Sequence, residues 1–128
     1  MSVKTILVAD DNEANAEVIR LILEGEGYHV ITSPDAVELE NTASTVPDLV
    51  LLDIKLPGRD GKEICRQLKQ NAHTQHLPVI LMTATNEHRE PAIAAGAVDF
   101  ILKPFELQEL VEKVNKVLMP GYIPGGEG

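Results

Sequence analysis

Four short apolar runs in this chain each stop at a polar residue. Ile6-Leu7-Val8-Ala9 runs into Asp10 and Asp11, and Leu49-Val50-Leu51-Leu52 runs into Asp53. Val79-Ile80-Leu81-Met82 ends at Thr83, and Val98 to Leu102 ends at Lys103-Pro104. Runs this short and this uniformly apolar fit strands covered on both faces, as in a buried parallel sheet. A further strand is expected over Tyr28 to Thr32.

Helical patterns alternate with these runs. The first covers Glu13 to Glu24, with Val18, Leu21 and Ile22 at helical spacing, and stops at Gly25 and Gly27. A second helix is expected over Ala36 to Ala43, after Ser33-Pro34. Pro57-Gly58 marks a turn, and a third helix follows over Gly61 to Gln70, with Ile64 and Leu68 facing inward. Pro91 to Ala95 forms a short helical piece stopped by Gly96. In the last helix Leu107, Leu110, Val111, Val114, Val117 and Leu118 make a stripe that reads as mostly core, and Pro120-Gly121 ends it. Strand–helix alternation of this kind predicts an α/β fold: a doubly wound, five-stranded parallel sheet with five helices on its two faces. One domain is expected over residues 1–119, followed by a flexible Gly- and Pro-rich tail at 120–128.

Charge and composition remove several functions. The chain has 128 residues and a net charge of −9, with no basic stripe, so direct nucleic-acid binding is not expected. An anionic membrane surface is disfavoured for the same reason. No apolar run approaches the ~20 residues needed to cross a bilayer. The single cysteine, Cys65, permits no internal disulfide and reads as a buried core thiol. Without a secretory signal, the expected compartment is the cytoplasm. His29, His73, His76 and His88 show no metal-ligand spacing and read as surface residues.

In an open parallel sheet the carboxyl ends of the strands share one edge, where ligands bind. Asp10, Asp11, Asp53, Thr83 and Lys103 would therefore converge. Up to three negative charges in one pocket would repel and raise their pKa values unless a counter-charge is present. Lys103 supplies one positive charge, and a divalent cation would supply the rest. Carboxylates, a backbone carbonyl and water suit Mg²⁺. Such an ion can neutralise phosphoryl oxygens while a carboxylate attacks phosphorus in line. Thr83 and Lys103 could each hold a phosphoryl oxygen. Asp53, on a central strand, is the candidate nucleophile. The same pocket could serve a Mg²⁺-dependent phosphatase or phosphotransferase, although a short chain leaves little for a substrate pocket. A flavin carrier is a weaker alternative, since there is no Trp and no Gly-rich loop after the first strand.

Asp10-Asp11, Leu49 to Asp53, Leu56-Pro57-Gly58, Thr83-Ala84, Gly96-Ala97 and Lys103-Pro104-Phe105 together resemble the receiver domain of two-component response regulators, over about residues 4 to 119. The chain is most similar to the single-domain, chemotaxis-regulator-like type, with no output domain. The resemblance implies a flavodoxin-like sheet of order 2-1-3-4-5. It implies that Asp53 accepts a phosphoryl group from a sensor histidine kinase or histidine phosphotransfer protein, and that a downstream protein target reads the change. Asp11, Asp53 and the Lys55 carbonyl would bind Mg²⁺, and Asp10 would act through a metal-bound water. Thr83 and Lys103 would hold the phosphoryl group. Thr83 and Phe100 would form the switch, Phe100 turning inward, and Pro104 would follow a cis peptide bond. Beyond its own phosphorylation and slow dephosphorylation, no enzyme activity is implied. Two features depart from the family's pattern. The stretch from Thr83 to Gly96 is short and contains Pro91, which predicts a late-starting, truncated fourth helix on the output face. Lys55 stands where the family tunes phosphate lifetime.

Overall fold

The computed structural model describes residues 3–40, 46–84 and 89–120. The main sheet contains β1 (Thr5–Ala9), β2 (His29–Ser33), β3 (Leu49–Asp53), β6 (Val79–Thr83) and β7 (Asp99–Leu102). Its order is β2-β1-β3-β6-β7, with every pairing parallel. Counting only these strands along the chain, that is the 2-1-3-4-5 order. The register is direct: Val8 lies opposite Leu51, and Leu51 opposite Ile80. A small antiparallel hairpin, β4 (Lys55–Leu56) with β5 (Arg59–Asp60), follows β3 and turns at Pro57-Gly58.

Four α-helices occur among the described residues: α1 (Glu13–Gly25), α2 (Gly61–Gln70), α3 (Arg89–Ala94) and α4 (Leu107–Leu118). The helix expected over Ala36 to Ala43 is represented by a single 3-10 turn at Val37–Glu40, and residues 41–45 lie outside the described residues. Part of the reason is local. Ala36 adopts a left-handed backbone, φ 64°, which cannot continue into a right-handed helix. The Ser33 Oγ accepts the Ala36 N–H at 2.9 Å and the Asp35 Oδ1 accepts the Val37 N–H at 3.1 Å, so side chains close this turn. In α3, Pro91 sits in the first turn, where its missing N–H is tolerated.

Helices cover both faces of the sheet. Ile6, Val8, Leu49, Leu51, Ile80 and Met82 pack with Ile19 and Leu23 of α1 and with Leu110, Val114 and Val117 of α4. The alternate residues, such as Val50, Leu52 and Leu81, pack with Ile64, Cys65 and Leu68 of α2 and Ala92 of α3. Successive strand residues point to opposite faces, so five consecutive buried residues in β3 and in β6 serve both layers. The inward stripe of α1 is Ala16, Ile19 and Leu23, whereas Val18 and Leu21 are exposed. Leu107 of the α4 stripe is also exposed. Cys65 is buried, and His29, His73 and His76 are exposed; His88 lies outside the described residues, as does the tail beyond Pro120. Among the described residues no helix is long and apolar enough to cross a membrane.

Candidate functional site

Each strand end delivers one part of the site. β1 runs out at Ala9, so Asp10 and Asp11 stand just beyond the sheet; β3 and β6 end on Asp53 and Thr83, and Lys103 follows β7. Asp10, Asp53 and Thr83 are buried, at 2%, 7% and 4% exposure, while Asp11 is open to solvent. One carboxylate oxygen each from Asp10, Asp11 and Asp53 can be chosen so that all lie within 4.8 Å of one another. The Lys103 Nζ donates to the Asp10 Oδ2 and to the Asp53 Oδ2, both at 2.9 Å. Its backbone N–H donates to the Thr83 carbonyl at 2.7 Å, which fixes the end of β7 against β6.

The other oxygens of the two buried carboxylates are engaged as well. The Asp10 Oδ1 accepts the Asn12 N–H at 2.9 Å, so both oxygens of Asp10 carry hydrogen bonds. The Asp53 Oδ1 accepts the Lys55 N–H at 3.2 Å. Lys55 itself is exposed in the hairpin. Burial pushes the Asp53 carboxyl above the ordinary carboxylate range; the Lys103 hydrogen bond and charge and the Lys55 N–H pull it down, and Asp10 pushes it up again. Burial works to depress the Lys103 ammonium, yet its hydrogen bonds and attraction to Asp10 and Asp53 together leave it above its ordinary value. One lysine thus offsets two buried carboxylates only partly. The donor set is all oxygen, with one exposed carboxylate beside two buried ones, and this fits a hard divalent ion that keeps several waters.

Phe100 is buried on β7, and the Lys103–Pro104 peptide is cis. Three contributors were missed in the sequence. Asn12 caps α1, its side chain accepting the Asn15 N–H at 3.0 Å, while its own N–H holds Asp10. Its residue type just ahead of a helical pattern was the available signal. Ser33, the end of β2, accepts the Asp10 N–H on its carbonyl at 3.0 Å. It occupies the same strand-end position as the other site residues. Gly61 opens α2 directly against the phosphoacceptor candidate's main chain: a Cβ there would lie 2.3 Å from the Asp53 carbonyl oxygen.

Fold and pocket together define a class: a flavodoxin-like α/β domain whose carboxyl edge carries an acidic pocket answered by one lysine. Comparison with known proteins places the chain more narrowly. The response regulator receiver domain family matches residues 6–115, and the chain belongs to that family of two-component signalling domains. It is 40% identical over 116 residues to the phosphate regulon transcriptional regulatory protein PhoB of Rhizobium meliloti, covering 88% of this chain and 51% of that protein. It therefore spans about half the length of that relative. A response regulator from Chloroflexus aurantiacus superposes with a TM-score of 0.85 at 34% identity, covering 91% of this chain and 98% of that one. The response regulator TrrA of Thermotoga maritima, solved in complex with Mg²⁺ and BeF, gives a TM-score of 0.81 at 34% identity, covering 91% and 100%.

Proposed function

We propose that residues 1–119 form a phosphorylation-activated switch in which Asp53 accepts a phosphoryl group from a phosphohistidine of a sensor histidine kinase or histidine phosphotransfer protein. The reading is supported chiefly by one observation, the Lys103 Nζ at 2.9 Å from both Asp10 and Asp53 at the shared strand edge. An Asp53 oxygen attacks phosphorus, the bond from phosphorus to the donor imidazole nitrogen breaks, and the imidazole keeps that electron pair and takes up a proton. Lys103 then exchanges its contact with the Asp53 carboxylate for one with a phosphoryl oxygen, and the Thr83 hydroxyl takes another.

Asp11, Asp53 and the Lys55 carbonyl would hold a Mg²⁺, with Asp10 acting through water, and the ion would supply charge neutralisation for the phosphoryl oxygens. TrrA, solved with Mg²⁺ and BeF, supports that assignment by likeness. The added group carries about two charges and three acceptor oxygens, and it draws on Thr83. Phe100 is the aromatic through which the change would pass to a downstream protein target. The setting is cytoplasmic, and the only turnover is slow hydrolysis of the acyl phosphate.

Phosphoramidate or acetyl phosphate tests this directly. With Mg²⁺, the intact mass should rise by one phosphoryl group in the wild type and stay unchanged in Asp53→Asn or in excess EDTA. A label that survives Asp53→Asn would remove the acceptor assignment. Sustained hydrolysis of an added phosphoester would favour a phosphatase instead.

A further inference from the structure

Gly27, Gly58 and Gly96 each have a left-handed backbone that accounts for the residue type. Gly61 has no such backbone, and what it needs is space. A Cβ on Gly61 would stand 2.3 Å from the Asp53 carbonyl oxygen and 2.8 Å from the Ile54 Cα. Both are main-chain atoms, which cannot turn aside as the end of a side chain can. The approach is held by a hydrogen bond, since the Gly61 N–H donates to the Ile54 carbonyl at 2.7 Å. Ile54 is pinned from the other side as well: its N–H donates to the Met82 carbonyl of β6 at 2.9 Å, and its side chain is buried. The loop closed in this way is the β4–β5 hairpin, and it carries Lys55, whose N–H donates to the Asp53 Oδ1 at 3.2 Å.

We propose that Gly61 is a positioning residue for phosphoryl acceptance: having no side chain, it lets the start of α2 close on the main chain of Asp53 and Ile54, and this closure sets the direction of the Asp53 carboxylate and of the Lys55 main chain. The closure stands on its own; its link to phosphoryl acceptance rests on the acceptor reading above. A methyl group at position 61 must push the two segments apart by several tenths of an ångström. α2 is anchored in the core by Ile64, Cys65 and Leu68, and β3 is paired to β1 and β6 on its two sides. The displacement therefore falls on the short stretch between them, residues 53–61. That stretch holds the acceptor oxygens and the Lys55 carbonyl. Misplacement of about 1 Å can lower a rate about a hundredfold, so a fraction of it should still slow acceptance about tenfold.

Gly58 supplies the contrast, because a Cβ there meets nothing within 4 Å while its φ of 68° still penalises any side chain. With phosphoramidate as donor and intact mass as readout, Gly61→Ala should label about tenfold or more slowly and need about tenfold more Mg²⁺ for half its maximal rate. Gly58→Ala should stay within about threefold of wild type in both, since its methyl group displaces nothing. Rates are compared per folded chain, in trimethylamine N-oxide if Gly61→Ala needs it to fold. Equal losses in the two variants, or a Gly61→Ala chain that labels like wild type, overturn the proposal. Hydrogen exchange on the unmodified wild-type chain tests the closure without any phosphodonor. The Gly61 amide should exchange as slowly as that of Ile54, and exchange at the rate of an open loop overturns the closure. If wild type takes no label, the acceptor assignment fails, while the exchange result still upholds or overturns the seat of α2 on the end of β3.

Discussion

Asp53 and Leu51 lie two residues apart on β3 and are both withdrawn from water, at 7% and 0% exposure. Their burial has opposite consequences. Leu51 gains from leaving water and from close packing against α1 and α4. Asp53 loses solvation and faces a second buried carboxylate, and Lys103 makes good only part of that. One end of the strand is stable under any solution condition that leaves the fold intact. The other is stable only while its charges are answered.

The largest expected effect falls on the unconditional end. Leu51→Ala should cost about 3–5 kcal/mol, as fully buried leucines do when truncated, with little dependence on pH or Mg²⁺ in urea titrations. Lys103→Met should cost about 3 kcal/mol at neutral pH, because it strands two buried carboxylates. That loss should be conditional. The Lys103 ammonium sits above its ordinary 10.5, so its contribution is complete below that value and disappears only as pH rises through the folded-state value. In the variant, acidification should recover stability as Asp53 takes up a proton, and Mg²⁺ should recover part of it at neutral pH. A cost for Lys103→Met that is flat in both variables would erase the contrast between the two ends of β3.

The same contrast governs what could be read in advance. The apolar runs and the polar residues that end them are local features, so the strands and the convergence of Asp10, Asp53, Thr83 and Lys103 follow from a parallel sheet. Gly61–Gln70 was legible because Ile64 and Leu68 stand at helical spacing just after the Pro57-Gly58 turn. What escaped depends on through-space choices. Val18 and Leu21 have the right spacing for a core stripe, but α1 rests on Ala16, Ile19 and Leu23, since the neighbouring layer decides which side turns inward. The turn at Ala36 escaped because nothing in an alanine announces a positive φ; Ser33 and Asp35 impose it. The roles of Asn12 and Ser33 around Asp10 also need the β1–β2 register.

Asp53→Asn provides the smallest change and the sharpest sign. If burial and Asp10 together weigh more than Lys103, removing the charge should stabilise the unphosphorylated chain at neutral pH. The gain should stay below about 1 kcal/mol, because the lost ion pair offsets part of it. The pH dependence follows from the direction of the Asp53 shift. A carboxyl whose folded-state value lies above the unfolded one binds its proton first in the folded chain, so wild-type stability falls as pH rises through that interval. Above the interval the variant should be the more stable of the two. Below it the wild-type carboxyl is neutral as well, and the two melting curves should converge. A variant that is less stable than wild type at neutral pH and gains nothing relative to it as pH rises would show that Lys103 fully compensates the buried charge, and that the acidic end of β3 is as settled as its apolar end.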